Sequence, residues 1–189
     1  LTYALRIFKR YGAETVQRVR ENPYRLADEI YGIGFRRADE IARALGISPK
    51  SPVRIQAAVR YVLSQAASEG HVYLPLPELT ERLQQLDISD EELPQHLEDL
   101  AGSGRVVVEN TANEQRIFLG PLYHAEVEIA RRLRLLLQHA KAADVSEIRM
   151  SFDRVDGVTL SAEQKQAVER ALRYGCLVIT GGPGTGKTT

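Results

Sequence analysis

A single cysteine, Cys176, in 189 residues leaves no partner for an internal disulfide and no cysteine set for zinc. The four histidines, His71, His96, His124 and His139, are scattered without paired ligand spacing, so no zinc site is expected. No apolar run reaches the roughly 18 residues needed to span a bilayer. The first eleven residues carry Arg6, Lys9 and Arg10 on a short amphipathic pattern, which is not a secretory signal. A cytoplasmic location without a membrane partner follows as the expectation. Net charge is missing as well, because 25 basic and 25 acidic side chains cancel. What is present suits a folded protein: 43% apolar and 26% charged residues supply real cores and exclude wholesale disorder.

The zero charge is a cancellation between segments. Residues 1–60 hold 12 Lys and Arg against 6 Asp and Glu, a net +6. Residues 61–119 hold 3 against 11, a net −8. A polyanion senses charge only within a Debye length of about 10 Å at 0.1 M salt. A basic, nucleic-acid-binding end can therefore hide behind a neutral total.

Hydrophobic spacing predicts a mainly α chain in four parts. Residues 1–50 read as short helices: Leu1, Leu5 and Phe8 mark the apolar face of the first, a second starts at Val16, a third covers Tyr24–Ile30, and a fourth begins at Phe35 with Ala38, Ile41, Ala42 and Leu45 at helical spacing. Residues 51–120 read as helix, short strand His71–Leu74, two helices and a β-hairpin (Arg105–Glu109 with Gln115–Leu119), the order of a winged-helix domain. Residues 121–157 form a helix with apolar Leu122, Ile129, Leu133, Leu136 and Leu137, followed by a connector. Residues 158–189 begin an α/β segment: Ser161 caps a helix over 162–173, and Cys176–Thr180 reads as a buried parallel strand.

The strongest chemical signal is Gly181-Gly182-Pro183-Gly184-Thr185-Gly186-Lys187-Thr188, a phosphate-binding loop. Glycines let backbone N–H groups approach phosphate oxygens, and a helix starting behind them aims its positive end at the anion. Gly182, Gly184, Thr185, Gly186, Lys187, Thr188 and Thr189 are expected to hold ATP. Lys187 and Thr188 are the catalytic pair: Lys187 reaches the β- and γ-phosphates, and the Thr188 hydroxyl ligates Mg²⁺. The acidic strand and arginine finger that complete such a site are not found here. The 189-residue chain is thus expected to be a piece of an enzyme, inactive by itself, with residues beyond about 150 incompletely packed.

Gly32-Ile33-Gly34 is the second signal. A tight G-h-G turn between two helices presents free N–H groups to a DNA phosphate. Gly32, Gly34, Phe35, Arg36 and Arg37 are the expected DNA contacts, with Ile33 plugged between the helices. Such a grip reads no bases and is salt-sensitive. Gly34→Val is expected to strain this turn.

The third helix of the winged-helix region does not look like a DNA reader. Asp87, Asp90, Glu91, Glu92, Glu98 and Asp99 crowd it, with no Lys or Arg between Asp87 and Gly104. A solvated acidic face, or a protein-contact surface over the acidic stretch 78–99, fits better. Cys176, Tyr61 and Tyr73 read as core residues. Arg131, Arg132 and Arg134 read as a solvated helix face.

Together these motifs resemble a family. Asn22-Pro23-Tyr24-Arg25-Leu26, Gly32-Ile33-Gly34-Phe35 followed by Ala38-Asp39, Gly70-His71-Val72-Tyr73-Leu74-Pro75, Leu160-Ser161 with Gln164, and Gly181 to Thr189 are similar to RecD-like helicases of superfamily 1, the stand-alone type with an extended N-terminal region. The resemblance covers essentially the whole chain. It implies an ATP-dependent DNA helicase moving 5′ to 3′ on single-stranded or junction DNA without sequence preference. It implies that Gln164 is the Q-motif glutamine that hydrogen-bonds the adenine, a task for which one amide offers both donor and acceptor. It also implies that Leu1–Gly12 is the second half of an earlier hairpin. Two other classes stay open on the residues alone: a non-catalytic DNA- or protein-binding module, and another phosphate-loop ATPase of DNA repair or recombination.

Overall fold

The computed structural model describes residues 2–88, 91, 93–139, 154–155 and 158–187. By packing, the chain divides into residues 1–125 and residues 126–189. Among the described residues no helix is long and apolar enough to cross a membrane.

The first unit starts with helices α1 (Thr2–Tyr11), α2 (Thr15–Glu21), α3 (Arg25–Glu29) and α4 (Phe35–Ala44), with a 3-10 turn over Gly12–Glu14. The face of α1 that packs inward is not the expected one. Leu5 and Phe8 are exposed, whereas Ile7 and Tyr11, one turn apart, join Leu26, Ile30, Ile33, Val19 and Ile41 in a small core. Leu5 and Phe8 are also one turn apart, so spacing alone does not choose between the two stripes. Between α2 and α3 the Asn22 side chain accepts from the Tyr24 N–H at 3.0 Å, a local turn that launches α3 behind Pro23.

Helix α5 (Pro52–Ser68) carries proline in its first turn and supplies the main core with Ile55, Ala58, Val59, Val62, Leu63 and Ala66. Strand β1 (Tyr73–Pro75), α6 (Leu76–Gln84), α7 (Leu93–Gly102), β2 (Val106–Asn110) and β3 (Gln115–Leu119) follow. The three strands form an antiparallel sheet in the order β1-β3-β2, with Leu74 opposite Ile117 and Val108 opposite Ile117 on the other side. Leu74, Leu79, Leu83, Leu97, Leu100, Val106 and Ile117 close the core over α5. This core also takes in Tyr24, Phe35, Ala38 and Ala42, so the modules expected over 1–50 and 51–120 share one apolar interior.

Helix α8 (Gly120–His139) runs into the second unit. Its apolar stripe is exposed: Ile129, Leu133, Leu136 and Leu137 are 57%, 44%, 55% and 65% accessible. Arg131 and Arg132 both pair with Glu128 at 2.7 Å, which holds the Glu128 carboxyl down at about 2 and offsets one of the positive charges of this basic stripe. The expected connector, ending at 157, holds β4 (Arg154–Val155), which pairs antiparallel with β5 (Val158–Thr159) just beyond it, and α9 (Ala162–Arg173) follows. Of the stretch expected to be incompletely packed, beyond about 150, residues 151–153, 156–157 and 188–189 lie outside the described residues. The predicted strand Cys176–Thr180 is not one. It runs as irregular backbone, with Val178 80% and Ile179 53% exposed. A parallel strand forms only between neighbouring strands that cover it. The described residues of this unit offer only the β4–β5 pair.

Candidate nucleic-acid and nucleotide sites

The helical hairpin is α3, the turn 30–34 and α4. Ile33 is 3% exposed and its N–H bonds the Ile30 carbonyl at 3.1 Å, so it plugs the turn as expected. The glycine that needs left-handed backbone is Gly32, at φ +90°. Gly34 is not strained: it sits at φ −91° and ψ 175°, with nothing within 4 Å of a Cβ built on it. The expectation for Gly34→Val therefore changes: the turn tolerates a side chain there, and what is lost is the open approach to the helix end. No side chain caps α4. The N–H groups of Phe35, Arg36 and Arg37 thus have no intrahelical acceptor and face the space that Gly34 leaves free.

The expected DNA residues differ in what they can offer. Phe35 is 3% exposed, stacked between Tyr24 (5.7 Å between ring centroids) and Tyr61 (5.1 Å), so only its backbone N–H can serve a ligand. Arg37 is paired with Glu40. Arg36 has no carboxylate partner among the described residues. Of the basic side chains in residues 1–60, Arg10, Arg18, Arg25, Arg37, Arg43, Arg54 and Arg60 are in ion pairs, and Arg6, Lys9, Arg20, Arg36 and Lys50 have none among the described residues. The usable positive charge is thus smaller than the count suggests, and Arg36 places part of it at the start of α4.

Sequence reasoning missed the group that fixes α4 in place. Arg54 on α5 is 2% exposed and grips Asp39 of α4 with two hydrogen bonds, Nε–Oδ1 at 2.9 Å and Nη2–Oδ2 at 3.2 Å. The Tyr24 hydroxyl donates to the same carboxylate at 2.6 Å. The remaining Arg54 donors reach the carbonyls of Pro49 (3.2 Å) and Leu86 (3.0 Å). Burial alone would raise the Asp39 pKa, but the bonds from Arg54 and Tyr24 outweigh it and hold the carboxyl below its usual range. Burial and the neighbouring carboxylate push the Tyr24 hydroxyl up. The legible signal was one arginine on the stripe Ile55, Ala58, Val59, Val62 of α5. The partner lies 15 residues away and no period encodes it.

In the second unit, Ser161 and Gln164 form a capping box at the start of α9. Ser161 Oγ accepts the Gln164 N–H at 3.3 Å, and Gln164 Oε1 accepts the Ser161 N–H at 2.8 Å. The other end of the Gln164 amide donates to the Gly186 carbonyl at 3.2 Å, which ties the helix start to the glycine-rich loop. Gly184 and Gly186 take positive φ, and Thr185 Oγ1 donates to the Gly182 carbonyl at 2.8 Å. The Lys187 ammonium donates to the carbonyls of Gly181 (2.8 Å) and Gly182 (2.6 Å). A cavity of about 770 Å³ opens between α9 and the loop, lined by Gln164, Val168, Leu172, Ile179, Thr185 and Lys187. Its volume suits a nucleotide. Thr188 and Thr189 lie outside the described residues.

The α3–turn–α4 unit, with its uncapped second helix, is a helix-hairpin-helix, and the same chain carries the glycine-rich sequence Gly181–Thr188. The comparisons narrow this class. Residues 1–73 match the family described as the ATP-dependent RecD2 DNA helicase HHH (helix-hairpin-helix) domain. Over its whole length the chain is similar to the ATP-dependent RecD2 DNA helicase of Deinococcus radiodurans, 28% identical over 200 aligned positions that cover 28% of that protein. A stretch of 77 residues, 41% of the chain, is 36% identical to the RecBCD enzyme subunit RecD of Mycobacterium tuberculosis and covers 12% of it. The segment 1–73 is thus similar to a RecD2-type helix-hairpin-helix domain, and the chain spans little more than a quarter of the length of the Deinococcus relative.

Proposed function

We propose that this chain is the N-terminal region of an ATP-dependent DNA helicase moving 5′ to 3′, in which the α3–α4 hairpin holds the DNA backbone. The observation that carries the reading is the α4 start: an uncapped helix end, an open Gly34 and the unpaired Arg36, within the segment that matches the RecD2 hairpin domain. A phosphate there gains N–H donors and a positive dipole end, with no base to read. The domain division 1–50, 51–120, 121–157 and 158–189 belongs to the same reading. Residues 51–120 are its winged-helix-like domain, supported by the order of α5 to β3 and the β1-β3-β2 sheet. Its acidic stretch 78–99 faces a protein partner or solvent rather than DNA.

Residues 158–189 are the start of a RecA-like motor. Lys187, Thr185 and the loop glycines Gly182, Gly184 and Gly186 would hold the phosphates of ATP, and Thr188 with Thr189 would complete the Mg²⁺ site. Gln164 would meet the adenine after exchanging its Gly186 bond. The cavity between Gln164 and Lys187 supports this assignment. Bound Mg–ATP would supply the driving reaction. Lys187 leaves two loop carbonyls to neutralise phosphate charge.

The test is DNA binding by the 189-residue chain across a salt series. Two to three neutralised phosphates give a slope of about −2 in log K against log salt. Arg36→Ala should weaken binding to all sequences alike and flatten the slope by about one unit. A chain that binds no DNA, or binds it without salt dependence, refutes the reading. The similarity to proteins named as DNA helicases weighs against a non-catalytic module.

A further inference from the structure

Tyr31 stands at the tip of the helical hairpin with 92% of its surface exposed. A single exposed aromatic is ordinary on a protein surface. This one belongs to a cluster. Tyr3 on α1 is 43% exposed, and the Arg6 guanidinium lies 6.0 Å from the centre of the Tyr3 ring. Arg6 Nη1 also donates to the Tyr31 carbonyl at 3.0 Å. Arg6 therefore fixes the Tyr31 backbone while the ring stays in water. The absence of a side chain at Gly32 allows the approach: a Cβ built there would lie 3.0 Å from Arg6 Nη1 and 3.7 Å from the Tyr3 ring. Arg6 has no carboxylate partner among the described residues.

We propose that Tyr31, flanked by Tyr3 and Arg6, is a stacking platform for an unpaired base, so that the hairpin end of the protein favours single-stranded or junction DNA over continuous duplex. The proposal rests on the hairpin being a DNA-backbone site. A phosphate grip alone treats single and double strands nearly alike, since both present phosphates. Within a duplex each base has its faces covered by its neighbours. Only an unpaired or terminal base offers a free π-face to a ring. Rings interleaved with arginine are the surface that single strands use, because every base stacks and none need be read. Arg6, on α1 and bonded to the Tyr31 carbonyl, and Arg36, in the first turn of the α4 that follows the turn, have no carboxylate partner among the described residues and can meet phosphates near a stacked base.

The experiment measures binding of the 189-residue chain to a single-stranded oligonucleotide carrying one 2-aminopurine and to the same sequence as duplex, at one salt concentration. Tyr31→Ala should weaken single-strand binding about 5- to 150-fold, the range for one stacked base (about 1–3 kcal/mol at 1.4 kcal/mol per tenfold). It should also remove the fluorescence quenching and leave duplex binding within about twofold. Tyr31→Trp should restore both signals. Because the side chain is exposed, the variant keeps its fold. Equal loss on both substrates, or no loss on either, overturns the proposal. Arg36→Ala separates the two readings: if it weakens both substrates while Tyr31→Ala is silent, the stacking platform fails and the backbone grip stands. If the chain binds neither substrate, both fail.

Discussion

Removing Asp39 should damage the fold more than removing the arginine that holds it, and removing both should be milder than removing Asp39 alone. In Asp39→Ala the Arg54 guanidinium, 2% exposed, keeps the Pro49 and Leu86 carbonyls but loses its counter-charge. Arginine cannot discharge itself by losing a proton. Stranding one partner of a buried pair costs about 3–5 kcal/mol. At about 4 °C per kcal/mol for a unit of this size, Tm falls about 10–20 °C. In Arg54→Met the stranded group is Asp39, which keeps the Tyr24 hydroxyl at 2.6 Å and the largely exposed Arg43 at 3.2 Å, and can take up a proton. That variant should lose about 1–3 kcal/mol. The double variant carries no buried charge, and apolar replacement of a buried pair is often close to neutral.

The pH dependence follows from the same groups. In the native chain Asp39 has a lowered pKa, so its stabilisation is present above the unfolded value of about 3.9 and fades as pH falls through the native one. In Arg54→Met burial raises the Asp39 pKa instead. The defect of that variant should shrink as pH drops from 7 toward 4, while that of Asp39→Ala holds constant over the same range. Urea unfolding followed by circular dichroism at pH 7 and pH 4.5 reads all of this. A double variant at the sum of its two singles would refute the coupled network.

Three further outcomes are expected. Gly32→Ala should destabilise the chain by about 1–3 kcal/mol through its left-handed backbone, whereas Gly34→Ala should leave the urea midpoint nearly unchanged yet weaken DNA binding, and the reverse pattern would mean the open space at Gly34 is not the phosphate seat. Lys187→Ala, introduced into the helicase proposed above, should abolish DNA-stimulated ATP hydrolysis, and surviving turnover would remove Lys187 from its assigned role. Reversing Glu91 and Glu92 to lysine should not weaken DNA binding in an anisotropy titration, and a marked loss would put DNA on the acidic face after all.

The legible parts of this chain were those written in short-range code. The turn at Gly32-Ile33-Gly34, the proline start of α5 and the β-like runs of β2 and β3 each depend on residues within a few positions of one another. The hairpin residues stand together at one turn and helix start, but only folding shows that Phe35 is wedged between Tyr24 and Tyr61 and that Arg37 is tied to Glu40. The α1 stripe was misread because two apolar faces compete on one short helix, and contacts with Leu26 and Ile33 decide between them. Cys176–Thr180 has the composition of a parallel strand, yet strand formation is a property of neighbours. The Asp39–Arg54 pair was invisible for the opposite reason: its partners are distant in sequence and each alone looks like a surface charge.

The Arg54 clasp has a mechanical consequence. One guanidinium joins α4 to the Pro49 turn and to the carbonyl of Leu86 just past α6, so three segments meet on one rigid planar group. A load applied to the hairpin by a pulled DNA strand would enter α4 and pass through Asp39 into α5 before any apolar contact has to slide. The hairpin is then a handle bolted to its mount rather than a hinged finger. Arg54→Lys keeps the charge but offers one nitrogen in place of three, and under load that handle should come loose at lower force.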